Sequence, residues 1–236
     1  MPDAERRAPG GSVSMATEQR EVAIVDGSAR LQGVLSIPPR PLGLVIFAHG
    51  SGSSSRSPRN VAVAQRLVRD GLGTLLFDLL TDEEAADRRN VFDIPLLGRR
   101  LKAATEQIAG GEDVRDAPVG YFGASTGAAA ALTAAADLGP ELIAAVVSRG
   151  GRPDLAGEKL AQVASPTLLI VGGRDPEVLR LNEEARRRLK GESELVVIPG
   201  ATHLFEEPGG LERVAELAAE WFGRHFTARH RLAAGR

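Results

Sequence analysis

The chain has 236 residues, enough for one sizeable domain and an ordinary length for a single α/β unit. Hydrophobic residues make up 43% and charged residues 25%, and the formal net charge is −2 with both signs mixed along the sequence, so the charge calls for neither nucleic acid nor an anionic membrane as partner. There is no cysteine, which excludes disulfides, thiolate catalysis and cysteine-ligated metal sites and fits a cytoplasmic location.

Residues 1–20 are rich in Gly, Ser, Pro and charge and lack an apolar h-region, so they read as a disordered leader rather than a secretory signal. Glu21–Val25 and Arg30–Ile37 flank the turn signal Asp26-Gly27 and predict an antiparallel hairpin at a sheet edge. Leu42–Ala48 is a continuous apolar run, as a parallel strand buried on both faces requires. The same type recurs at Gly73–Phe77, Val119–Phe122, Leu142–Val147, Thr167–Val171 and Glu194–Ile198. Helical stripes lie between them: Val61, Ala64 and Val68; Leu97, Leu101, Ala104 and Ile108; Leu211, Val214, Ala218, Trp221 and Phe222. Strand–helix alternation of this kind predicts an α/β fold, a mostly parallel central sheet with helices on both faces. The expected organisation is one domain over residues 21–226, followed by a disordered tail over 227–236. No apolar stretch is long enough to cross a bilayer.

In such sheets ligands bind beyond the carboxyl ends of the strands, so the polar residues just after each apolar run are the informative ones. Gly123-Ala124-Ser125-Thr126-Gly127 follows one strand and precedes an alanine-rich helix, which is G-x-S-x-G in the strand–turn–helix context that gives the motif meaning. The bland reading, a Gly/Ser turn in a chain with 27 glycines, is comparable on the pattern alone. His49-Gly50-Ser51-Gly52 follows the first buried strand; the backbone of Ser51, or alternatively of Gly50, together with that of Thr126, would supply an oxyanion hole. This loop lacks the G-K-[ST] ending of a P-loop, and His49 reads as a loop organiser rather than a base. Asp175 and His203 follow the last two strands, completing the chain order Ser, Asp, His. Singly, Asp175 could cap a helix and His203 could be structural; together the four loops agree in type, order and position. Asp78 and Asp154 also follow strands and stand as reserve acids. In this reading Ser125 is the nucleophile, His203 the base and Asp175 the acid that orients it.

The quoted motifs, with His49–Asn60 and Leu76–Asp82, make the chain from Glu21 to Phe226 resemble the dienelactone hydrolase-like family of α/β hydrolases. The resemblance implies cleavage of a carboxylic ester or lactone bond through an acyl-enzyme, with no metal and no organic cofactor. Dienelactone hydrolases proper use cysteine as nucleophile; serine stands at that position here, which favours a general carboxylesterase. Two alternatives accompany it: transfer of the acyl group to an acceptor other than water, and a non-catalytic scaffold that binds a small ligand. The expected partner is a small-molecule ester, with monomer and homodimer both open. Residues 78–100 exceed an ordinary strand–helix connection and read as a boundary of the substrate pocket, with Val91, Phe92, Ile94 and Leu96 as its apolar wall; the alternative is that these four dock the segment onto the core.

Overall fold

The early Asp26-Gly27 turn does produce a hairpin, β1 (Glu18–Asp26) against β2 (Ala29–Ile37), paired antiparallel. In this computed structural model, which describes residues 16–111 and 114–235, β2 then joins β4 (Gly73–Phe77), again antiparallel. The remaining strands are parallel: β3 (Leu44–Ala48), β5 (Val119–Ala124), β6 (Ile143–Arg149), β7 (Thr167–Gly172) and β8 (Ser193–Ile198). The sheet order is β1-β2-β4-β3-β5-β6-β7-β8. That order sets the carboxyl ends of β3, β5, β6, β7 and β8 side by side, so their trailing loops share one edge.

Two apolar clusters cover the sheet. On one face α4 (Ile94–Ala109) and α5 (Thr126–Leu138) pack Leu97, Leu101, Ala130 and Leu132 against Ile46, Tyr121 and Val146. Alanines make α5 slim enough to lie close against the strands, and Ala128 to Ala131 are fully buried. On the other face α1 (Pro58–Arg69) and α7 (Gly210–Ala234) pack Val63, Leu67, Trp221 and Phe222 against Val45, Phe47, Val147 and Ile170. Removing a ring such as Phe222 from this cluster would cost about 3–5 kcal/mol.

The boundaries differ from the sequence expectation at both ends. Residues 1–15 of the expected leader lie outside the described residues, but β1 already begins at Glu18 because its first residues pair with the far end of β2. The tail expected over 227–236 is helical to Ala234: α7 continues past Phe226, and Arg229 anchors it through Glu141 Oε2 (3.0 Å).

Segment 78–100 folds into α2 (Asp82–Ala86), α3 (Arg88–Val91) and the first turns of α4. Thr81 and Glu84 form a reciprocal capping box at the start of α2. The charges here are less solvated than their density suggests. Arg100 is 3% exposed and reaches Glu84 Oε1 (2.6 Å) and Asp26 Oδ2 (3.1 Å), tying the segment to the hairpin.

Candidate active site

Ser125 sits at the turn between β5 and α5 with φ 51° and ψ −121°, a conformation that side-chain-bearing residues avoid. The surrounding backbone holds it there. Its N–H donates to Arg149 O (3.2 Å), and its carbonyl accepts from Ala128 N (3.1 Å) and Arg152 N (3.0 Å). The flanking glycines are dictated by space: a Cβ on Gly123 would stand 2.5 Å from Ala128 Cα, and one on Gly127 would collide with Ala48 O. G-x-S-x-G is therefore a steric requirement here as well as a pattern. The half-buried Ser125 hydroxyl has no hydrogen-bond partner among the described residues.

Asp175 precedes α6 (Pro176–Arg186) and makes no side-chain cap to it. Its Oδ2 instead lies 2.7 Å from His203 Nδ1, with the Asp175 side chain 17% and the His203 side chain 39% exposed. The loop carrying His203 is fixed by Phe205, whose ring is buried in the α1/α7 cluster although its φ is 57°. Thr202 N–H donates to Glu207 Oε1 (3.1 Å), closing the same loop. The end of β6 brings this loop toward Ser125: Arg149 O accepts the Ser125 N–H, and a Cβ on Gly150 would stand 3.5 Å from His203 Nδ1.

The reserve acids are engaged elsewhere. Asp78 accepts Ser55 N–H (2.7 Å) and the Ser55 hydroxyl (3.1 Å), fastening the β3–α1 loop, and Asp154 pairs with Arg152 (2.8 Å). His49 accepts Leu79 N–H at Nε2 (3.0 Å) and lies 3.1 Å from Gly50 O through Nδ1, which fixes its proton on Nδ1. Burial pushes its pKa below the ordinary histidine value, so the ring is a neutral brace. Ser51 N–H donates to Thr126 Oγ1 (2.9 Å), bringing together the two loops expected to form the oxyanion hole.

Beside Ser51 and Thr126 opens a cavity of about 230 Å³. Its walls include the serine-rich loop 50–54, the apolar Leu79, Leu80, Val91 and Leu97, and the carboxylates Asp78 and Asp82. Of the expected wall of Val91, Phe92, Ile94 and Leu96, Val91 lines this cavity and the other three do not. Ile94 opens α4 and is 5% exposed within the core, and Leu96 packs against the same core. Phe92 is 45% exposed and borders an adjoining, more open depression that shares Ser51, Gly52, Ala85 and Val91 with the cavity. Leu97, one helical turn beyond Ile94, is what reaches the cavity. Sequence reasoning also missed Leu79 and Leu80; their place directly after β4 was the available signal.

Comparison with known proteins agrees with the architecture. Residues 42–217 match the family model described as an alpha/beta hydrolase domain. A crystal structure of a dienelactone hydrolase from Anabaena variabilis is 52% identical, with a TM-score of 0.85 over 89% of this chain and 98% of that one. The fold is shared with Est1E from Butyrivibrio proteoclasticus (19% identity, TM-score 0.74, 88% of this chain and 99% of that one). Relatives from two strains of Mycobacterium tuberculosis, which carry a phosphoribosyl transferase-like name, are 55% identical over 223 residues. That match takes in 92% of this chain, which spans about half the length of those relatives (50%). The chain belongs to the dienelactone hydrolase-like family of the α/β-hydrolase superfamily.

Proposed function

We propose that this protein is a serine hydrolase that cleaves carboxylic ester or lactone bonds through an acyl-enzyme on Ser125. The observation that carries the reading is the 2.7 Å contact between Asp175 Oδ2 and His203 Nδ1, made on the same sheet edge where Ser125 is held at positive φ. A carboxylate on Nδ1 keeps the proton there and leaves Nε2 as a base for a serine hydroxyl. The Ser125 hydroxyl has no partner among the described residues; nucleophile–base contacts are often loose before substrate arrives and tighten with it.

In the reaction His203 Nε2 takes the Ser125 proton as Oγ attacks the carbonyl carbon. The collapsing intermediate receives that proton on the leaving alcohol. Water then repeats the sequence on the acyl-enzyme. The carbonyl oxygen, negative in the intermediate, would lie against Thr126 N–H at the start of α5 and against Ser51 N–H. The latter is already satisfied by Thr126 Oγ1, and the oxyanion would replace that hydroxyl as acceptor. The neighbouring cavity, apolar on its Leu79–Leu80–Val91–Leu97 side, suits a small acyl group. We infer that the transferase-like name of the mycobacterial relatives refers to the part this chain does not span, because the matched part is accounted for by the hydrolase fold.

A chain-length series of p-nitrophenyl esters, repeated after treatment with a serine-directed phosphonate, tests the reading. Turnover of short esters that the phosphonate abolishes is expected; turnover that survives it would defeat the proposal.

A further inference from the structure

Arg149 closes β6, and its side chain lies on the α1 face of the sheet. Val147, two residues earlier and therefore on the same side, packs in one cluster with Val63 and Leu67 of α1. Arg149 is 7% exposed, and its Nε and Nη1 are buried without a hydrogen-bond partner among the described residues. The charge facing it is another cation, Arg59 in the first turn of α1; burial and that neighbour together hold the Arg149 pKa down to about 10. Arg59 reaches Glu206 Oε1 (2.8 Å) through Nη1, while its Nε is also buried and unpartnered.

A guanidinium buried without an anion burdens a fold. Arg100 supplies the contrast: it is as deeply buried and its Nε is also unpartnered, but its other nitrogens are paired with both Glu84 and Asp26. The end of α1 beside Arg59 is uncapped as well. Ser57 makes no side-chain cap, and the first turn holds no acidic residue, so the amides and dipole of this 12-residue helix are uncompensated there. With Glu206 offsetting one arginine, and the helix end worth roughly half a charge, about one and a half positive charges remain. A phosphate monoester, about −1.5 to −2 at neutral pH, matches that better than a carboxylate. Arg149 also accepts the Ser125 N–H through its own carbonyl (3.2 Å), so the cationic group and the strained serine belong to one strand end.

We propose that Arg149, Arg59 and the uncapped start of α1 form a subsite for a phosphate monoester carried by the substrate, so that the ester cleaved at Ser125 belongs to a phosphorylated molecule. The identity of the cleaved bond rests on the hydrolytic reading above; the anion subsite does not.

Calorimetric titration of the intact protein with phenyl phosphate and with benzoate separates the two. Phenyl phosphate should bind at least tenfold more tightly than benzoate, and Arg149→Met and Arg59→Gln should each weaken it at least tenfold. Arg149→Met should melt no lower than the wild type, because it removes an unpaired buried charge. Phenyl phosphate should also compete with p-nitrophenyl acetate. Phosphate binding in a protein that hydrolyses no ester would sustain the subsite and defeat the hydrolytic reading. Benzoate binding as tightly as phenyl phosphate would overturn the subsite. So would phosphate affinity unchanged in both variants, or a destabilised Arg149→Met beside an Arg59→Gln protein of wild-type affinity.

Discussion

Two loops of this protein each carry a histidine just beyond a parallel strand, and their surroundings give the two rings different work. In the loop after β3, His49 is braced at both nitrogens by backbone groups, Gly50 O and Leu79 N–H, and burial disfavours its charged form. In the loop after β8, His203 has one nitrogen on a carboxylate and a side chain that is 39% exposed. A ring whose donors and acceptors are consumed by the backbone can position a loop but has no lone pair to offer a substrate. A ring held from one side by Asp175 has one. Partner atoms, rather than residue type or place after a strand, separate a ring fixed as a brace from one left with a nitrogen free to act as a base.

Loss of each ring should have different consequences. His203→Gln should lower kcat for a short p-nitrophenyl ester by roughly 10⁴-fold or more, with little change in melting temperature. His49→Gln should retain most of that activity; near-equal losses in the two variants would erase the distinction. Next in size is Asp175→Asn. It leaves the volume intact but no longer fixes the Nδ1 proton, and should cost about 10²–10⁴-fold in kcat with wild-type stability. If Asp154→Asn had the larger effect, the acid would be misassigned.

The effects on His49 are thermodynamic. Its replacement disturbs the partner of the Leu79 N–H and should cost about 1–3 kcal/mol of unfolding free energy. The sign of the pH dependence follows from its lowered pKa. Below the ordinary histidine value of about 6.5, the unfolded chain binds a proton that the folded ring resists. Wild-type stability at His49 is therefore present at neutral pH and lost on acidification. Denaturant melts at pH 7.5 and 5.5 should show a smaller acid-side loss in His49→Gln than in the wild type. The smallest expected effect concerns the pocket. Leu97→Ala should shift acyl-length preference toward longer chains by enlarging the cavity, whereas Phe92→Ala, outside that lining, should change the preference less than threefold.

The parallel strands and the order of the candidate site residues were legible because buried strands write themselves as unbroken apolar runs, as in Thr167–Val171, and because polar residues must follow them at a shared edge. Ser125, Asp175 and His203 could be picked out on that basis, and Asp78 and Asp154 ranked below. The positive φ of Phe205 left no trace, since it is imposed by the burial of its own ring. The pocket wall was read from hydrophobicity alone, which cannot tell Ile94, facing the core, from Leu97, which touches both core and cavity. Arg149 was hidden for a related reason: an arginine ending an apolar strand reads as an exposed terminus, and its isolation is visible only in three dimensions.

The central claim, that Ser125 is the nucleophile and His203 its base, is tested most directly by covalent labelling. The intact protein would be treated with a fluorophosphonate and mapped by peptide mass spectrometry. A single adduct is expected on Ser125, absent from Ser125→Ala and formed at least a hundredfold more slowly in His203→Gln. An adduct on Ser51, Ser53 or Ser54, or labelling of Ser125 at an unchanged rate in His203→Gln, would contradict the claim.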